Sequence, residues 1–181
     1  LFLAISNLRK YCLDAKIIGL SATVSDPSLI AGWLAPESDC EIILSDPGLK
    51  PNVSVLKTSE PPPWAGSGGL YSIPDVIKEI AKHRTTLIFH NTRAQAEIFF
   101  HNLWLENNKN LPIAIHHGSL DKEQRRQVEE AMVRGELRAV VCTGSLDLGI
   151  DWGSVDLVIQ IGAPRQVKRL VQRVGRANHN H

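Results

Sequence analysis

From residue 73 onward, short runs that are apolar throughout alternate with longer stretches in which apolar residues recur every three or four positions. The runs at 86–90, 113–116, 139–142 and 155–161 predict strands. Helices are expected to open at Pro74, to span 93–107, to run from Asp121 to Gly135, and to begin again after Pro164. Strands with no polar alternation are buried on both faces, and helices between them supply the cover, so the pattern is that of a parallel α/β sheet. Before residue 47 the signal is thinner. Residues 16–20 and 40–44 read as two more strands, and Ser25-Asp26-Pro27 opens a helix carrying Leu29, Ile30, Trp33 and Leu34. Prolines at 47, 51 and 61–63 and glycines at 66, 68 and 69 then mark a connection, with 53–56 as a short strand inside it. The expected division is 1–47, a connection over 48–72, and an α/β domain over 73–181.

The 181 residues are 43% hydrophobic and 22% charged, which excludes disordered, collagen-like and disulfide-scaffold classes. No run of about 18 apolar residues occurs, so no membrane-spanning helix is expected. Three cysteines without a Cys-x-x-Cys pair argue against a zinc site or a disulfide framework, and a reducing, cytoplasmic setting is expected. Leu1 stands in place of an initiator methionine and no basic start precedes the first apolar residues, so the sequence reads as a piece of a longer chain. The formal charge of +1 is unevenly spread: five basic and no acidic residues follow Asp156, leaving fifteen basic against nineteen acidic in the rest.

In an open parallel sheet, ligands bind beyond the carboxyl ends of the strands, where helix N-termini present unpaired N–H groups. Those ends read Asn91-Thr92-Arg93, His117-Gly118-Ser119, Thr143-Gly144-Ser145 and Gly162-Ala163-Pro164. Small hydroxyl, amide and glycine residues suit the close approach of phosphates, including those of a nucleic-acid strand. Helix capping is the competing explanation, with Thr92 and Gln95 fitting a capping box and Ser119 an N-cap. In the last helix Val167, Leu170, Val171 and Val174 form an apolar stripe, leaving Arg169, Gln172, Arg173 and Arg176 on the opposite faces as a phosphate site or a solvated face. Arginine suits the first of these because its donor fork binds phosphate bidentately and stays charged. Gly175 is expected at a close backbone approach or at the helix end. His116 and His117 are adjacent on a strand, point to opposite faces, and are not expected to share a metal ion. Trp33, Phe99, Phe100 and Trp104 lie at helical apolar spacing and are expected in the core.

Gln172-Arg173-Val174-Gly175-Arg176 resembles motif VI of superfamily 2 helicases. Ser21-Ala22-Thr23 resembles motif III, residues 86–93 resemble motif IV, and residues 141–151 resemble motif V, all in the family order. With residues 111–120, 146–153 and 175–179 added, the chain is most similar to the large helicase-related (Lhr) family, and within it to the ligase-associated DEXH-box branch. The resemblance implies two tandem RecA-like domains, of which this chain holds the tail of the first and the second, a parallel sheet with helices on both faces. It implies an ATP-dependent helicase or translocase of DNA repair. Its track would be single-stranded or partly duplex DNA, with DNA-repair proteins as further partners and no membrane. ATP would lie between the two domains, with Arg176, Arg173 and Gln172 as catalytic residues and Gly149, Asp151 and His179 at the nucleotide. Asn91, Arg93, His117, Ser119 and Thr143 would hold the phosphates of one strand, and Ser21 and Thr23 would couple nucleotide state to domain closure. Neither Gly-x-x-x-x-Gly-Lys-Ser/Thr nor Asp-Glu-x-His occurs in the 181 residues, so Mg²⁺ ligands are expected in the first domain and this stretch is not expected to hydrolyse ATP alone. His179 stands where the family pattern has a further arginine. An RNA track, or a binding module on the same fold without hydrolysis, are the alternatives.

Overall fold

The computed structural model describes residues 2–12, 15–21, 24, 26–36, 40–44, 51–66, 68–147, 155–164 and 166–177. The chain divides into two units, 1–50 and 51–181.

The first unit holds two helices, α1 (Phe2–Tyr11) and α2 (Pro27–Leu34). Asp26 caps α2 by accepting from the Leu29 N–H at 3.1 Å, and Pro27 takes the first helical position, where no backbone donor is needed. The sequence pattern did not foretell α1, whose opening residues are continuously apolar rather than periodic. Arg9 donates to the Leu34 carbonyl and so ties α1 to the end of α2. Residues 16–20 and 40–44, expected as strands, are not strands. A strand needs a ladder partner, and none is offered among the described residues of this unit. Ile18, Leu20, Ile43 and Leu44 are exposed there. Trp33, expected in a core, is half exposed.

The second unit contains α3 (Ile73–Lys82), β1 (Thr86–Phe89), α4 (Arg93–Leu105), β2 (Ile113–His116), α5 (Lys122–Val133), β3 (Ala139–Cys142), β4 (Leu157–Gln160) and α6 (Val167–Val174). The four strands are parallel in the order β2-β3-β1-β4, the parallel α/β sheet that the apolar runs predict. Successive residues of the central strands face alternately one core and the other. Ile88, Ala139 and Val141 face a core built with Val76 and Ile80 of α3 and Ala96, Phe99 and Leu103 of α4. Leu87, Phe89, Val140 and Cys142 face the other side, toward Met132 of α5, Leu146 and Val155. β1 and β3, central in the sheet, are buried at every position, which is why their sequences carry no polar alternation. Trp104 departs from the expected core set, being 59% exposed at the end of α4, while Phe99 is fully buried.

Residues 53–56, expected as a strand, form none; Leu56 instead packs on the α3–α4 core. The same segment is anchored by Ser59, whose N–H and hydroxyl each donate to Asp75 at 2.7 Å. Lys78, together with these two donors, holds the Asp75 carboxyl well below the usual carboxylate range. At the opposite end of the sheet from the strand tips, the Arg84 and Thr85 N–H groups donate to Asp156 at 2.9 and 3.0 Å, fixing the start of β1 beside β4.

Register sets the functional edge. Phe89 pairs with both Cys142 and Gln160, and Cys142 pairs with His116, so all four strands end in one row. The next residues along each strand therefore emerge side by side.

His90, just past β1, is 1% exposed, tilts against Phe99 at 4.7 Å between ring centroids, and leaves Nε2 without a partner. Burial pushes its pKa down to about 4, and burial lowers that of His116 as well. A histidine held neutral in the fold titrates first in the unfolded chain. Stability is therefore fully present above about pH 6.5 and falls as the pH drops toward 4, by about 3 kcal/mol for His90. Urea denaturation at pH 7.5 and 4.5 is expected to show this loss, and the loss is expected to be smaller in His90→Asn.

Candidate functional site

Two side-chain clusters stand on the strand-end edge. The first is built around α6. Of its apolar stripe, Leu170 and Val174 are half-buried while Val167 is 77% and Val171 53% exposed, whereas Arg173, set by the spacing on an opposite face, is 1% exposed. The reason is electrostatic. Arg173 Nε donates to Asp147 Oδ1 at 2.8 Å, Nη1 donates to Gln160 Oε1 at 2.6 Å, and the guanidinium carbon lies 4.7 Å above the Phe89 ring. A carboxylate, an amide oxygen and an aromatic face together replace the water that a buried cation loses. Gln160 is itself fixed, its amide nitrogen donating to the carbonyls of Ile161 at 3.0 Å and Gly162 at 2.8 Å.

Asp147 is the hub of this cluster. It follows a 3-10 turn at Gly144–Leu146, opened by Thr143 without a side-chain capping hydrogen bond. Arg169 Nη1 approaches its other carboxylate oxygen at 3.7 Å, and Arg176 Nη2 donates to its carbonyl at 3.1 Å. Gly144 makes room for this convergence, because a Cβ there would lie 3.0 Å from Asp147 Oδ2 and 3.1 Å from Arg169 Nη1. Arg176 is half-buried, and its Nε is a buried donor with no partner among the described residues. Gly175 ends α6, donating its N–H to the Val171 carbonyl at 2.9 Å. Gln172 is half-buried on the same helix.

The second cluster joins the ends of β1 and β2. Arg93, first residue of α4, donates from Nη1 to Ser119 Oγ at 3.0 Å. His117, 3% exposed, accepts the Ser119 N–H on Nδ1 at 3.3 Å, and its Nε2 lies 3.2 Å from Glu97. Thr92 does cap α4, accepting from the Gln95 N–H at 3.3 Å. Ser119, expected as a cap, does not serve as one: Asp121 caps α5, accepting from the Gln124 N–H at 2.8 Å. Its hydroxyl is thereby left for Arg93. Asn91 Nδ2 donates to the Ala163 carbonyl at 2.8 Å, beside Gly162, whose φ of 72° favours a residue without a Cβ. His116 turns the other way from His117, toward Ser145 at 2.8 Å and Glu129 at 3.0 Å.

Of the residues named from sequence, Asn91, Arg93, His117, Ser119 and Thr143 thus lie on one edge, with Gln172, Arg173 and Arg176 on α6 beside Asp147. Arg173 had been grouped with Arg176 as reaching toward nucleotide; the structure buries it inside its own fold, with Nε donating to Asp147 and Nη1 to Gln160. Ser21 lies in the first unit, exposed and outside helix or strand. Thr23, Gly149, Asp151 and His179 lie outside the described residues. Sequence reasoning passed over Asp147 and Gln160. Asp147 carried a signal, as an acid between Leu146 and Leu148 in the stretch leading out of β3, ahead of a last stretch that is basic without acids. Gln160 carried one as the polar end of an apolar strand. Among the described residues no group of three or more His, Cys, Asp or Glu side chains is placed to hold a metal ion. The guanidinium donors do fit the phosphate tail of a nucleotide, Arg176 having a buried N–H without an acceptor.

A row of parallel strand ends carrying arginines from the closing helix defines the class as a helicase C-terminal domain, and the profile of the helicase conserved C-terminal domain family matches residues 71–181. The chain belongs to that family, and within it to the Lhr-type helicases of superfamily 2. It is 39% identical to the ATP-dependent helicase Lhr-Core protein 2 of Thermococcus barophilus, over 99% of this chain and 22% of that protein. It is 40% identical to the ATP-dependent helicase Lhr-Core of Sulfolobus acidocaldarius, over 90% of this chain and 20% of the relative. The structure of the Mycobacterium smegmatis helicase Lhr bound to ssDNA and AMP-PNP superposes with a TM-score of 0.81 at 35% identity, covering 99% of this chain and 24% of that one. The chain spans about a fifth of the length of the curated relatives it matches. No described helix is long and apolar enough to cross a membrane.

Removing one partner of a buried ion pair strands the other charge. Arg173→Met is expected to destabilise the fold by about 3–5 kcal/mol, and Asp147→Leu added to it is expected to restore much of the loss. Chemical denaturation midpoints of the two variants check both.

Proposed function

We propose that this chain supplies the second RecA-like domain, and the closing part of the first, of an ATP-dependent motor that moves along single-stranded DNA in DNA repair. The single observation that carries the reading is Arg176: a guanidinium at the end of the closing helix, held by the Asp147 carbonyl, with a buried Nε–H that no acceptor in the described chain satisfies. A phosphate oxygen is the acceptor such a donor fits. The exposed Ile18, Leu20, Ile43 and Leu44 support assigning residues 1–47 to a domain whose remaining strands would cover them.

In this reading the nucleotide supplies the phosphoanhydride whose cleavage drives closure, and Mg²⁺ is held by the first domain. Arg176 offers its charge to the γ-phosphate from across the interdomain cleft. Arg173 acts through it, bracing α6 on Asp147 and Gln160 so that Arg176 presents in one position. Gln172 orients the attacking water, while Gly149, Asp151 and His179 line the nucleotide by family resemblance. Asn91, Arg93, His117, Ser119 and Thr143 hold the phosphates of one strand, since they share the strand-end row. Ser21 and Thr23 pass nucleotide state to the domain interface. Support for DNA as the track comes from the relative of M. smegmatis, described as bound to ssDNA and AMP-PNP.

An arginine of this kind contributes about 10³–10⁵ to turnover. In the full-length polypeptide, Arg176→Ala is expected to lower DNA-stimulated ATPase turnover by at least about 10³ while nucleotide binding persists. Unchanged turnover would remove Arg176 from the catalytic machinery, and a parent polypeptide without measurable turnover would assign the fold to a binding module without hydrolysis. Stimulation by single-stranded RNA but not DNA, at one fixed salt concentration, would replace the track. Arg93→Ala is expected to weaken strand binding alike for all sequences and to lower the slope of log K against log salt by about 0.7–1.

A further inference from the structure

Glu97 follows Arg93 by one helical turn on α4, and neither the motif resemblance nor the family match assigns it a part. Its Oε1 lies 3.2 Å from His117 Nε2 and 3.7 Å from Arg93 Nε. Two cationic or donating groups, one from the β1–α4 junction and one from the end of β2, thus converge on a single carboxylate oxygen. The rest of the cluster fixes their chemistry. His117 Nδ1 accepts the Ser119 N–H, so in the neutral ring the hydrogen sits on Nε2 and points at Glu97. Arg93 is steadied by Ser119 Oγ on its Nη1, which leaves its Nε face toward the carboxylate. The His117 side chain is 4% exposed and that of Glu97 is 52% exposed: the donor is locked into the fold, and the acceptor is free to swing into water.

A carboxylate oxygen between a guanidinium and an imidazole N–H offers the same charge and acceptor geometry as a non-bridging phosphodiester oxygen. We propose that Glu97 is an internal stand-in for a backbone phosphate of the nucleic-acid strand, filling the seat formed by Arg93, His117 and Ser119 until a strand phosphate displaces it. This rests on the strand-binding role given above to Arg93, His117 and Ser119. Exchange of one anion for another lowers the net affinity that the seat contributes without cancelling it, because the exposed Glu97 pair offsets only part of a phosphate contact. The donors are never stranded without an acceptor between one phosphate and the next, so the cost of letting go is lowered at the same point. Glu97 thereby sets how tightly this edge grips the strand, without reading its sequence.

The test is strand affinity in the full-length polypeptide, read by anisotropy of a fluorescently labelled oligothymidylate. Glu97→Gln keeps the length and the acceptor for His117 Nε2–H but removes the charge. It is expected to tighten binding by about two- to five-fold at about 50 mM salt, the range of an exposed ion pair, with a smaller gain at about 200 mM. The gain is expected to vanish when Arg93→Ala is already present, and Glu97→Asp, which keeps the charge on a shorter arm, is expected to stay near the parent affinity. Thermal melting of each variant controls for folding. If Arg93→Ala weakens binding but Glu97→Gln leaves it unchanged or weakens it, the stand-in is overturned and the strand interface stands. If Arg93→Ala has no effect on binding, the strand interface at this seat falls and the stand-in falls with it.

Discussion

A guanidinium buried to 1% exposure stays in place only if something other than water carries its charge, and Arg173 imposes that demand on everything around it. Desolvating such an ion costs several kcal/mol, recovered only when geometry and hydrogen bonds are good. Asp147 meets the demand from the turn after β3, Gln160 from the end of β4, and Phe89 from the end of β1. Three separate strand ends are thereby pinned to one helix by one side chain. α6 is oriented by this charge rather than by its valines, which is why Val167 and Val171 face outward. The same hub then holds Arg169 at its second oxygen and Arg176 at its carbonyl. A single residue so holds three arginines, Arg169 and Arg173 through its carboxylate and Arg176 through its backbone carbonyl.

The elements of the second unit were legible because local and global signals agree there. Continuous apolar runs sit where strands are covered on both faces, and Thr92 and Asp121 cap the helices that follow the strands. β2 and β3 match their apolar runs residue for residue, whereas β1 is one residue and β4 three residues shorter than the run that announced it. Legibility failed where a segment depends on partners outside its own neighbourhood. Residues 16–20 and 40–44 have the composition of strands but no ladder, and composition says nothing about whether a neighbour is present. α1 failed for the opposite reason, its apolar start masking any helical period.

The candidate site was legible in part. The strand-end rule located Asn91, Arg93, His117, Ser119 and Thr143 before any coordinates, since a parallel sheet leaves little choice about where chemistry can be placed. Periodicity misjudged α6, because it weighs a buried arginine as polar and cannot see the acid and amide that neutralise it. Asp147 and Gln160 carried faint marks and Glu97 none for a related reason: each acts through partners between 13 and 29 positions away, and no local pattern names such a partner.

The pairing of Phe89 with Gln160 carries a consequence for how the edge strand finds its place. Ile159 and Ile161 flank Gln160 and pack on the opposite core, against α3 and α4. Sliding β4 by a single residue would swap the faces, setting an isoleucine beneath the buried guanidinium and driving the amide into hydrocarbon. Misaligned pairings of this strand are thus penalised twice over, so the charge at the centre of the fold also works as a checkpoint during assembly, admitting one alignment and rejecting its neighbours.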